Sequence, residues 1–129
     1  MLLRSIFLIA ATFIFFQTQG QDKVDPDFTS YHITDLQERM EQSGRGWLPF
    51  FQGQNVLAGI YKLRAQSRDT QPAHDTDEVY YIVSGKAGFI AGGDTTSVSA
   101  GSILFVKAEI EHRFIQIEED ITMVVFFDQ

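Results

Sequence analysis

From residue 47 onward the apolar positions alternate. In "NVLAGIYKLRA", Val56, Ala58, Ile60 and Lys62 fall on one side of an extended chain and Leu57, Tyr61 and Leu63 on the other. That period of two marks a strand. "EVYYIVSG" is β-branched and aromatic and stops at Gly85-Lys86. "GWLPFFQG" comes before both, and its Pro49 marks an edge or entry position. "AGFIAGGDTTSVSAGS" predicts a strand, a turn at Gly92-Gly93-Asp94 and a second short strand. "SILFV", "HRFIQIEED" and "ITMVVFFDQ" follow as three more. At least seven short strands separated by Gly and Asp turns predict an all-β antiparallel sandwich or barrel.

One segment has the helical period instead. Thr34 and Gln37 in "TDLQERMEQSG" match a capping box, and Leu36 and Met40 lie four apart on one face. Gly44 ends the pattern, so a short helix is predicted over Asp35 to Gln42. Before it, residues 21–30 are polar and read as a loose tail.

The first twenty residues differ from the rest. Arg4 is followed by an apolar run from Ile6 to Phe16 and a short polar stretch ending at Gly20. This is the layout of a secretory signal peptide, with cleavage expected after Gly20. A membrane anchor is the alternative, but the run falls well short of the roughly 20 residues a spanning helix needs. The expected organisation is therefore a signal over residues 1–20, a tail and helix over 21–46, and a β domain over 47–129. The expected location is secreted or periplasmic, with no membrane attachment after cleavage.

Charge and cysteine count narrow the functions. Residues 21–129 keep all seventeen acids and nine of the ten bases, a formal charge of −8. Nucleic-acid binding needs a positive footprint, and this chain has none. The absence of cysteine excludes thiol chemistry and a disulfide framework. No phosphate loop or nucleophile elbow is present.

Candidate chemistry centres on the three histidines. Strand parity puts His74, Thr76, Glu78, Tyr80 and Ile82 on one face, so His74 and Glu78 can reach the same space. An imidazole and a carboxylate so placed can share a cation, although a surface pair at a strand entry explains the spacing as well. His112, Phe114 and Gln116 share parity further along. His32 lies before the helix, far from the others, and reads as surface. Trp47, Phe50, Phe51, Phe89, Phe105, Phe114 and Phe127 read as core. Tyr80 and Phe114, on the ligand parity, could line a cavity mouth, and Gln116 could hydrogen-bond a ligand or a histidine's outer nitrogen.

These positions resemble the cupin superfamily, whose two motifs are G-x5-H-x-H-x3,4-E-x6-G and G-x5-P-x-G-x2-H-x3-N. His74, Glu78 and Gly85 keep the spacing of the first motif, and Gly101 and His112 that of the second. Pro72 stands for the first motif histidine, Lys107 for the proline, Glu109 for the glycine and Gln116 for the asparagine. The resemblance implies a single antiparallel jelly-roll β-barrel, cupin-like, with a short N-terminal helix. It also implies a metal site of His74, Glu78 and His112, a cavity for a small organic molecule beside it, and a homodimer.

Two histidines and a carboxylate with open positions suit non-haem Fe(II), and the imidazoles also suit Zn, Ni, Cu or Mn. A barrel that has lost its metal, with both histidines merely hydrogen-bonded, is the alternative. The expected function is a divalent-metal-binding cupin-domain protein beside a small-molecule cavity. It would be either a metal-dependent enzyme such as an oxygenase or a non-catalytic ligand- or metal-binding module.

Overall fold

The computed structural model describes residues 27–129. The expected signal over residues 1–20 and the first part of the tail lie outside the described residues. Helix α1 (Ile33–Ser43) opens the fold. Its cap is His32 rather than Thr34: the His32 imidazole accepts from the Thr34 backbone N–H at 3.4 Å. A ring nitrogen here does the work a threonine hydroxyl does in a capping box. Gly44, at φ 64°, ends the helix where the sequence predicts. Leu36 and Met40 are buried against Ile60, so α1 covers one end of a sheet face.

Eight strands follow: β1 (Trp47–Gln52), β2 (Val56–Leu63), β3 (Glu78–Ser84), β4 (Lys86–Ala91), β5 (Asp94–Ser99), β6 (Ile103–Val106), β7 (His112–Ile115) and β8 (Ile121–Asp128). They form two antiparallel sheets, ordered β1-β2-β8-β3-β6 and β5-β4-β7. Pro49 sits on edge strand β1 next to a register shift, where its missing N–H costs no ladder bond. Ala91 pairs with Asp94, so the β4–β5 turn is Gly92-Gly93, both at positive φ, and Asp94 already belongs to the strand.

The expected closed barrel is not what forms. Among the described residues no ladder joins the two sheets, and each keeps two edges. The chain passes between them at a corner, where β3 runs into β4 through the single residue Gly85 at φ 94°. A Cβ there would collide with the backbone of Asp120 and Ile121. A corner of this kind changes sheet without hydrogen-bonded closure.

Alternation along β3 builds the interior: Glu78, Tyr80 and Ile82 point inward, while Val79 and Tyr81 point out. Tyr80, Ile82, Met123 and Val125 of the first sheet pack with Ala87, Phe89, Val98 and Phe114 of the second. Phe89 and Phe114 are core as expected. Phe105 is not: it lies on edge strand β6, on the outer side of the sheet, opposite Val79, and is 65% exposed. Phe51 is likewise exposed, and Phe50 packs beside α1. Parity, not aromatic character, sorted these side chains.

Candidate metal centre and pocket

Two parts of the chain, the β3 entry with His74 and Glu78 and the start of β7 with His112, meet at one point inside the sandwich. Glu78 opens β3 and His112 opens β7, each buried on its strand's inward face. His74 arrives differently from the expectation. It is not in a strand but in the loop before β3, so parity does not aim it. The loop is tied down instead: Glu109 N–H donates to His74 O at 2.7 Å, and Ala108 N–H donates to Asp77 Oδ1 at 2.8 Å. The segment before β7 therefore clamps the segment before β3.

The result brings His74 Nδ1 to 2.6 Å from Glu78 Oε1, and His112 Nε2 to 3.4 Å from the same oxygen. One donor atom from each of the three residues lies within 4.8 Å of the others. The His74 and His112 rings are on the same side of the sheet, 5.7 Å between centroids. His112 Nδ1 lies 2.7 Å from Ile110 O, a partner that can only accept, so Nδ1 carries a proton and Nε2 faces the cluster. A backbone carbonyl in this role fixes the tautomer that leaves the other nitrogen free for a metal. The donor set therefore fits a divalent ion chemically and geometrically.

His32 lies on the surface, as expected. Gln116 does not join the site. β7 ends at Ile115, and Gln116 turns out to solvent at φ 46°. The outer nitrogen of His112 goes to Ile110 instead. Glu109, where the motif has glycine, has φ 66°. Gln66, six residues before Pro72 and so at the motif's opening glycine, has φ 60°. The backbone thus keeps the shape of the two motifs where the residues themselves have changed.

Two residues not singled out as site groups complete the network, and Tyr80 turns out to be central rather than peripheral. The Tyr80 hydroxyl lies 2.6 Å from Glu78 Oε2, 2.9 Å from His112 Nε2 and 3.2 Å from Gln71 Oε1. Asp69 is buried and accepts four hydrogen bonds: from Tyr61 Oη at 2.9 Å, Gln71 N at 3.2 Å, Gln71 Nε2 at 2.9 Å and Phe114 N at 2.9 Å. The lone acid in "QSRDTQP" gave no periodic signal of burial. Its role comes from contacts 8 and 45 residues away.

Burial pushes the Glu78 carboxyl up, but hydrogen bonds from His112, Tyr80 and His74 outweigh it and hold the pKa below the usual 4.5. For His112 burial works downward, yet Glu78 and the Ile110 carbonyl favour the charged ring and leave its pKa above 6.5. Burial, then the neighbouring Glu78, raises the Tyr80 phenol. Tyr61 moves the same way through burial and Asp69.

A pocket of about 390 Å³ opens onto this cluster, with His74 and Tyr80 in its wall. Trp47, Leu57, Val125 and Phe127 make it largely apolar, Gln71, Thr76 and Gln129 add polar points, and Asp75 adds a carboxylate. Neither lysine nor arginine is among its lining residues. Trp47 seats on Gly59, where any Cβ would displace the indole.

Known proteins resemble this chain in sequence or in fold. A Streptomyces coelicolor protein of uncharacterised function is 35% identical over 98 residues, covering 76% of this chain and 93% of that protein. An RmlC-like cupin from Shewanella frigidimarina superposes with a TM-score of 0.57 at 17% identity, over 64% of this chain and 73% of that one. The DMSP lyase DddQ from Ruegeria pomeroyi gives 0.58 at 16% identity, over 64% of this chain and 47% of that one. At those identities the two structures establish a common fold. The cupin-domain family model matches residues 59–127. The chain belongs to the cupin family.

Proposed function

We propose that this cupin holds one divalent metal ion through His74, Glu78 and His112 and binds a small organic molecule in the adjoining pocket. The observation that carries the reading is the convergence of His112, from the start of β7, with His74 and Glu78, from the entry to β3, so that three donors lie within 4.8 Å, with the His112 tautomer pinned so that Nε2 faces inward. A buried carboxylate between the two imidazoles supplies the anionic donor that a divalent ion takes alongside neutral nitrogen ligands. Glu78 is 1% exposed.

When bound, such an ion supplies a Lewis acid beside the ligand. The chain's own residues do the rest. Trp47, Leu57, Val125 and Phe127 grip an apolar body and exclude water. Gln71, oriented by Asp69, offers an amide oxygen. The apolar run at residues 6–16 supports export as a signal-bearing protein.

The test is metal content and zinc affinity of the wild type against His74→Ala, His112→Ala and His32→Ala. The first two variants should lose most of the bound metal and the melting-temperature gain it confers, while His32→Ala should keep both. Equal metal content in all four proteins would sink the assignment. Oxygen consumption and product formation by ferrous protein, over a panel of phenols, keto compounds and sugars, separate an oxygenase from a binding module. That outcome is independent of metal content.

A further inference from the structure

Pro72 removes a donor from the family's ligand set, and nothing in the sequence names a replacement. The structure does. Tyr80 lies two residues after Glu78 on β3, so strand alternation puts both side chains on the same inward face. Its hydroxyl is buried among the donors, 2.9 Å from His112 Nε2 and 2.6 Å from Glu78 Oε2. We propose that the Tyr80 oxygen is a fourth protein ligand of the metal, making the centre His74, Glu78, Tyr80 and His112. This rests on the metal-centre reading above.

Donor spacing supports it. Atoms bonded to one first-row ion at roughly 2.1 Å stand about 3.0 Å apart at a right angle and about 3.4 Å apart at a tetrahedral angle. The Tyr80–His112 and His112–Glu78 separations, 2.9 and 3.4 Å, match edges of such a shell, while the 2.6 Å contacts of Glu78 with His74 and Tyr80 are hydrogen bonds that open when the ion takes the place of their protons. A tyrosine that only oriented Glu78 would touch the carboxylate and stay clear of the nitrogen that faces the ion. This hydroxyl touches both. A phenol oxygen brings one proton, which leaves for solvent on ligation as ligand binding generally requires. The other phenol in the pocket wall, Tyr61, is engaged by Asp69 and carries no comparable contact to the cluster.

The experiment loads the full chain with ferric iron and measures iron per chain together with the visible spectrum. The wild type should bind about one iron and show a phenolate-to-iron charge-transfer band. Tyr80→Phe should lose the band, and Tyr61→Phe should keep it. Zinc affinity of Tyr80→Phe should fall roughly tenfold or more, since even indirect partners of metal ligands cost that much. Resonance Raman on the wild type alone detects tyrosinate modes and does not depend on a variant folding. One iron per chain without the band, or a band that survives in Tyr80→Phe, overturns Tyr80 as a ligand and leaves the three-residue centre standing. A wild type that takes up neither iron nor zinc overturns both.

Discussion

Asp69 Oδ2 accepts the backbone N–H of Phe114 at 2.9 Å, across 45 residues of chain. This bond fastens the loop that carries Gln71 and His74 to the strand that carries His112. Both Asp69 oxygens receive two donors each. Asparagine would turn an NH₂ group toward two of those donors. Asp69→Asn should therefore destabilise the metal-free protein by about 2–3 kcal/mol, the scale of lost charge-assisted hydrogen bonds with buried partners left unpaired. Zinc should also bind more weakly, because His74 is no longer held in place. Urea denaturation and zinc titration read the two effects, and a variant within about 0.5 kcal/mol of wild type would show that the clamp is dispensable.

Glu78 and His112 give the metal-free protein a stability profile with two slopes. The folded Glu78 pKa is depressed, so its contribution is complete above about pH 4.3 and is lost as pH falls through the folded value. The folded His112 pKa is raised, so its contribution is complete below about pH 6.5 and is lost as pH rises through the folded value. Both are present together between about pH 4.3 and 6.5. Urea midpoints of the apo protein should peak there, and His112→Ala should flatten the alkaline slope. An alkaline slope unchanged in that variant would assign it to other groups.

Metal reverses the alkaline trend. An ion needs the unprotonated Nε2 of His112 and competes with the proton that Glu78 favours there. Zinc affinity should climb as pH rises past 6.5 through the raised His112 pKa. Calorimetric titration across that range checks it, and an affinity independent of pH would remove His112 from the ligand set.

Glu109 holds φ 66° where the family motif has glycine. Its side chain is exposed, and its backbone N–H, which any residue keeps, makes the bond to His74 O. A non-glycine residue in this region costs roughly 1–2 kcal/mol, and glycine's extra freedom in the unfolded chain returns part of that. Glu109→Gly should thus stabilise by about 0.5–1 kcal/mol, seen as a higher melting temperature with the zinc site intact. A lower melting temperature would mean that the glutamate side chain contributes more than its backbone costs.

Local pattern carried much of this protein. Alternation and turn residues sufficed for eight strands and one helix, because strand period and glycine turns are properties of a few neighbouring residues. The spacing of His74, Glu78, Gly85, Gly101 and His112 was legible for the same reason. The open two-sheet arrangement was not, since closure depends on which edges meet, and no single segment encodes that. Neither was the burial of Asp69, the exposure of Phe105 nor the place of Tyr80 between Glu78 and His112. Each is decided by a partner from a distant part of the chain, and such contacts exist only once the sheets have packed.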